Sequence, residues 1–172
     1  MAQKLLRKDQ RLIHTKYFTS RVSNNPEKQK RQNAFIDAVY TLTELEIFYG
    51  KYQMNPRTCN SCGVRDVVPN EKMTDVNIAV ELLADAFTNS FDTALLISAD
   101  SDLVAPVSKV RRLFPKKKIV VCFPPGRYSD DLKTAAGISM HIGRKIIAES
   151  QFPNEVIRAS DGFVLRRPGR WR

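Results

Sequence analysis

The clearest periodicity lies in the middle of the chain. There Val76, Ala79, Val80, Leu83 and Phe87 recur at three- and four-residue spacing, while Asn77, Glu81 and Asp85 fall on the opposite side. Such a stripe predicts an amphipathic helix, and Thr74 at its start is a suitable N-cap. Thr93 to Ser98, TALLIS, is a short unbroken apolar run of the kind buried in a parallel sheet. Leu103, Val107, Val110 and Phe114 trace a second helical stripe, with Pro106 in its first turn, where a missing N–H does no harm. Lys118 to Phe123, KIVVCF, reads as the next buried strand and is ended by PPGR. A short helix over Asp130 to Ala136, a strand around Ile138 to Ile142 and a helix from Arg144 to Ser150 follow.

Toward the N-terminus, Leu12 to Val22 is rich in β-branched and aromatic residues and predicts a strand. The polar stretch SNNPEKQK reads as a loop. Phe35, Ile36, Val39 and Leu42 then give a helix over Arg31 to Leu42, and Glu46 to Tyr52 a second strand. Residues 53–73 contain Pro56, Gly63, Pro69 and a Cys-x-x-Cys with neither period, so an irregular insertion is expected. The basic tail from Arg158 onward reads as a flexible arm. Strands alternating with helices predict an α/β protein, with a mainly parallel sheet and helices on both faces. Its 172 residues fit one domain over residues 1–157, followed by the tail.

Charge adds a partner to this outline. Lys and Arg number 28 against 18 Asp and Glu, and a net charge of +10 draws in polyanions, nucleic acid first among them. Many proteins are basic for solubility alone, so charge counts only beside a site. No stretch approaches the twenty or so apolar residues that cross a bilayer, and the opening MAQKLLRKDQ has no signal-peptide core. With three cysteines, an odd number, the expectation is a protein of the reducing cytoplasm, without a disulfide framework or a membrane partner.

Asp100 follows the TALLIS strand directly, and Asp102 opens the next helix. In open α/β sheets ligands bind beyond the carboxyl ends of strands, which is where both acids fall. An Asp before a helix is commonly a cap. Two carboxylates this close, flanked by Ser98 and Ser101, nevertheless repel one another unless a cation lies between them. Asp75, in the first turn of the Thr74 helix, is a third candidate. Three carboxylates at strand-to-helix junctions suit Mg²⁺ or Mn²⁺, hard cations that take few protein ligands and keep waters. A cation so held activates water and neutralises phosphodiester charge, the chemistry of a nuclease.

The segments KMTDVNIAVELLADAF, TALLISADSDLVAPVSKV and KIVVCFPP resemble the NYN family of PIN-like ribonuclease domains, and YFTSRV and RQNAFIDAV are similar to the same family's second strand and helix. The resemblance runs from about Leu12 to Pro153. It implies a PIN-like three-layer fold and metal-dependent cleavage of RNA. Asp75, Asp100 and Asp102 would be metal-binding acids, with Lys72, Ser98 and Ser101 as supporting groups. The family pattern opens with a strand ending in an aspartate, typically within D-x-x-N. Here the only carboxylate ahead of YFTSRV is Asp9, in a polar run, and that first acid is carried onto no residue. A second reading is therefore a catalytically inactive PIN-like module for RNA binding or assembly. A Toprim-type nuclease also uses D-x-D after a strand, but it needs a Glu ending an earlier strand, and Glu44 and Glu46 precede theirs.

Arg127, just beyond KIVVCF, is placed to reach a substrate at the carboxyl edge, and Arg21 and Arg31 are further candidates. Lys109, Arg111, Arg112 and Lys116 to Lys118 form a basic cluster at a helix end, a place that favours cations whatever the ligand. Tyr17, Phe18 and Tyr128 are candidates for stacking on bases, although aromatics in strands are usually core. Cys59-Asn-Ser-Cys62 is half of a zinc site, with only Cys122, His14 and His141 left as further soft ligands. Cys122, in an apolar run, reads as a buried thiol. Self-association is left open.

Overall fold

A computed structural model describes residues 1–22 and 25–171, leaving aside the side chains at 68, 69 and 170. In chain order the elements are α1 (Ala2–Leu5), β1 (Thr15–Ser20), α2 (Pro26–Val39), β2 (Leu45–Thr58), β3 (Arg65–Lys72), α3 (Thr74–Phe87), β4 (Thr93–Ile97), α4 (Val104–Leu113), β5 (Lys118–Phe123), α5 (Asp130–Ala136), β6 (Ile138–His141), α6 (Arg144–Ala148), β7 (Glu155–Ile157) and β8 (Val164–Arg166). Short 3-10 turns lie at Ser101–Leu103 and Gly169–Trp171. Two compact units emerge, one of residues 1–13 and 75–151, the other of residues 14–74 and 152–172.

The first unit is built on a parallel sheet in the order β4-β5-β6. Alternation along β5 divides the core in two. Ile119, Val121 and Phe123 point to one face, where they pack with Ala86 of α3, Leu103, Val107 and Val110 around α4, and Leu132 and Ala136 of α5. Cys122 points to the other, with Leu5 of α1 and Ile142, joined by Leu95, Val120, Met140 and Ile146. Burial on both faces explains why this strand reads as a continuous apolar run. Residues of α3, α4 and α5 thus pack on one face of this sheet, and residues of α1 and α6 on the other.

Taken together, however, the strands are mixed rather than mainly parallel. Among the described residues they form three hydrogen-bonded sheets. In the second unit β1 pairs with β2 in parallel while β2 pairs with β3 antiparallel, and β7 pairs with β8 antiparallel. The expected irregular insertion is thus a long hairpin, with partners from Lys51↔Lys72 to Thr58↔Arg65. All residues from Pro56 to Val67 are exposed, so neither face was selected for apolar residues and no alternation marks the strands.

Three more elements differ from their expected outline. The polar stretch before Arg31 is largely helix: Asn25 caps α2 by accepting from the Lys28 N–H at 2.9 Å, and Pro26 occupies the first turn. Ser23 and Asn24, at the start of the predicted loop, lie outside the described residues, as does Arg172. Helix α3 has the expected span but another buried face. Ile78, Leu82, Leu83 and Ala86 meet the core, while Val76, Val80 and Phe87 are 60%, 55% and 81% exposed. This helix carries apolar residues around most of its circumference, and periodicity alone could not choose between the two stripes. Finally, the tail carries β8, whose Leu165 is buried, and Trp171, whose ring meets Phe35 edge-on at 6.2 Å. Phe35 also meets Tyr17 and Phe152, at 5.9 and 6.1 Å, so that α2, β1 and the C-terminal segment share one aromatic cluster.

Within the second unit, Gly50 of β2 is packed so closely that a Cβ there would lie 2.5 Å from Ser20 Oγ, 2.6 Å from Thr74 Oγ1 and 2.7 Å from the Lys72 carbonyl oxygen. Two of these three neighbours are held by hydrogen bonding, since Thr74 Oγ1 donates to Glu71 Oε1 and lies 3.3 Å from Ser20 Oγ. Gly50→Ala is expected to destabilise the protein by about 1–3 kcal/mol, as overpacking does. A urea midpoint equal to that of the parent would contradict this packing.

Candidate functional site

The acidic loop is built by the end of β4. Beyond Ile97 the Ser98 hydroxyl accepts from the Asp100 N–H at 3.1 Å, which turns the chain away from the sheet. Asp100 then caps the Ser101–Leu103 turn, its Oδ1 accepting from the Asp102 N–H at 3.0 Å. Leu103, 1% exposed, anchors this turn in the core beneath. Asp100, Ser101 and Asp102 themselves are exposed. A deep apolar anchor under a polar turn fixes the backbone while leaving the carboxylates free to face solvent or a cation.

Because β4 and β5 are parallel, with Ile97 opposite Cys122, the turn after β5 opens on the same edge as the acidic loop. That turn carries Arg127, whose N–H donates to the Pro124 carbonyl, and Gly126 supplies its positive φ of 73°. Both Arg127 and Tyr128 are exposed there. Tyr128 is stacked on His141, with ring centroids 5.7 Å apart and planes at 16°, and Phe123 underlies both rings. His141 ends β6, the third parallel strand, so this aromatic pair also belongs to the carboxyl edge. Sequence reading weighed His141 only as a zinc ligand. Its pairing with Tyr128 depends on the β5–β6 register, for which no local motif exists.

Asp75 lies in the first turn of α3 and is partly buried. The residue before the helix, excluding Thr74, is Met73, whose φ of 76° turns the chain sharply out of β3. The Thr74 hydroxyl donates to Glu71 Oε1 at 2.5 Å. Among the described residues, no three His, Cys, Asp or Glu side chains are gathered closely enough to hold a metal ion, so the three aspartates do not form a ready-made cluster. In donor chemistry Asp100 and Asp102 still suit Mg²⁺ or Mn²⁺, which take one or two carboxylates and complete their shell with water.

The remaining candidates divide clearly. Arg21 and Arg31, in the second unit, have internal partners: Arg21 lies 4.7 Å above the Tyr49 ring and donates to Asn33 and the Tyr49 hydroxyl, both at 3.1 Å, while Arg31 faces Glu27 at 3.7 Å. Lys72 ends β3 in the same unit. The basic cluster lies at the far end of α4, about 15 Å of helix away from the acidic loop. Two of its members have structural work there. Arg111 donates to the Ala135 carbonyl at 2.5 Å, and Lys117 donates to Asn89 and to the Phe91 carbonyl while covering the Phe91 ring. Tyr17 and Phe18 are half-buried, their rings against Phe35 and Phe48 respectively.

The NYN domain family model matches residues 3–142, and the chain belongs to the NYN domain family. No curated protein matches it. Among solved structures it is similar to the crystal structure of a protein of unknown function from Vibrio parahaemolyticus RIMD 2210633, at 22% sequence identity and a TM-score of 0.52, over 77% of this chain and 70% of that one. A likeness at this identity is one of fold. Among the described residues, no helix is long and apolar enough to cross a membrane.

Proposed function

We propose that this chain is a metal-dependent ribonuclease that hydrolyses phosphodiester bonds of RNA at the carboxyl edge of β4 and β5. The observation that carries this reading is the pair Asp100 and Asp102, exposed on one turn at the end of a parallel strand, in a chain of the NYN family. We assign Asp100 and Asp102 as the acids that hold Mg²⁺ or Mn²⁺, with water completing the shell. A divalent cation so held lowers the pKa of a bound water and offsets charge on the phosphodiester. The protein's own groups do the rest. Ser98 holds the loop backbone through Asp100, and Leu103 anchors it from below. Arg127, exposed one strand away, binds a phosphate oxygen, and the net charge of +10 raises the encounter rate with RNA.

Tyr128 and His141 offer an exposed ring pair on which an unpaired base can stack, which favours single-stranded RNA. Tyr128→Ala is expected to weaken single-stranded RNA binding by about 1–3 kcal/mol, roughly 5- to 150-fold, the usual worth of one stacked base. Fluorescence anisotropy with a labelled oligonucleotide reads this directly, and an unchanged Kd would remove Tyr128 from the site.

The activity itself is tested by incubating the purified chain with labelled single-stranded RNA and Mn²⁺, with a chelator in a parallel tube. Cleavage with metal and none with chelator is the expected result. RNA binding without cleavage under any divalent cation would instead make the chain a catalytically inactive RNA-binding module. The lack of a gathered three-carboxylate cluster among the described residues is the observation that favours this second reading.

A further inference from the structure

The tip of the β2–β3 hairpin is closed by its own backbone hydrogen bonds. Cys59 N–H donates to the Val64 carbonyl at 2.8 Å, and Gly63 N–H donates back to the Cys59 carbonyl at 2.9 Å. Gly63 takes a φ of +71°, which closes the turn. The backbone N–H groups of Ser61 and Cys62, with the Cys62 thiol, hold the Cys59 thiol below its ordinary pKa. Backbone donors near a sulfur favour its thiolate, and the two backbone bonds of the turn keep Cys59 and Cys62 in one tight loop. A Cys-x-x-Cys spacing within one turn is the usual way two thiolates reach the same zinc ion.

Both cysteines are free and exposed. They fill two positions of a tetrahedral shell, and no other described group of this chain is suited to fill the rest. Cys122 is fully buried, and burial pushes its thiol up to about 11. His14 faces Glu46 near the start of β2, roughly 40 Å of strand from the tip. His141 is stacked on Tyr128. Asp66, opposite Arg57 on the hairpin, accepts from the Val67 N–H.

We propose that Cys59 and Cys62 bind Zn²⁺ together with the same two cysteines of a second copy of this chain, so that the hairpin tips meet across a shared four-sulfur site. Three features of the hairpin suit that occupant. The ribbon from Pro56 to Val67 is exposed throughout, leaving the tip free for a second tip to approach. Val64, at the tip beside Cys59, is 60% exposed, apolar surface that a second tip would cover. Arg57 and Arg65 flank the turn as cross-strand neighbours of Asp66 and Thr58, and four such guanidiniums offset the double negative charge of a zinc ion with four thiolates. An unsupported two-stranded hairpin is marginal in water, and a metal at its end supplies the missing constraint.

The test titrates the full reduced chain with Zn²⁺, and separately with Co²⁺, while its mass is followed by analytical ultracentrifugation. The expected result is one Zn²⁺ for every two chains and a dimer that a chelator dissociates. Co²⁺ should give thiolate charge-transfer and tetrahedral ligand-field bands. Cys59→Ser and Cys62→Ser should lose both the bands and the dimer, whereas Cys122→Ser and Asp100→Asn should keep them, which separates this site from the acidic loop. One Zn²⁺ bound per monomer, no Zn²⁺ bound, a dimer indifferent to chelator, or a Cys59–Cys62 disulfide in the chain kept under reductant would each overturn the proposal.

Discussion

Asp100→Asn is expected to lower metal-dependent RNA cleavage by about 100-fold or more, since even an outer-shell partner of a metal ligand is worth about 10- to 100-fold in metal affinity. The substitution is informative because it separates charge from structure. Asn retains an Oδ1 that accepts from the Asp102 N–H, and Asn caps a helical turn about as well as Asp. The Ser101–Leu103 turn should therefore stand, and the thermal midpoint should move little. What disappears is the negative charge that attracts a cation. Gel assays across a Mn²⁺ series measure the effect. Cleavage within a few-fold of the parent at every Mn²⁺ concentration would remove Asp100 from the chemistry.

Phe123→Ala is expected to cost about 3–5 kcal/mol of folding stability, a large part of the roughly 5–15 kcal/mol available to a domain. Phe123 is fully buried at the end of β5, within the main core and beneath the Tyr128–His141 pair. Truncating it leaves a cavity at the point where core and carboxyl edge meet. Urea unfolding should show a lower midpoint with little change in slope. A loss below about 1 kcal/mol would mean that the site collapses far more readily than a well-packed core does. RNA binding should weaken too, because the stacked rings lose their floor.

These two residues also show why parts of this protein were legible before its fold was known. Lys118 to Phe123 and Asp130 to Ala136 were outlined to the residue, because a strand buried on both faces writes an unbroken apolar run and a short helix bracketed by Ser129 and Gly137 carries its own start and stop. Asp100 and Asp102 could be placed for the same reason, since they follow such a strand. The β2–β3 hairpin could not, because an exposed ribbon imposes no pattern on its side chains. The start of α2 was obscured by polar residues that serve as its cap and first turn. The buried face of α3 was ambiguous because two apolar stripes compete, and only packing against β5 and α4 decides. The Tyr128–His141 pair arises from strand register, a long-range property that no local window contains.

The central claim is that the Asp100–Asp102 turn attracts a divalent cation, and Mn²⁺ binding followed by electron paramagnetic resonance tests it without reliance on turnover. The parent chain should take up Mn²⁺ and lose that binding in the Asp100→Asn, Asp102→Asn double variant while remaining folded. Equal Mn²⁺ uptake by parent and double variant, or none by the parent, would contradict it.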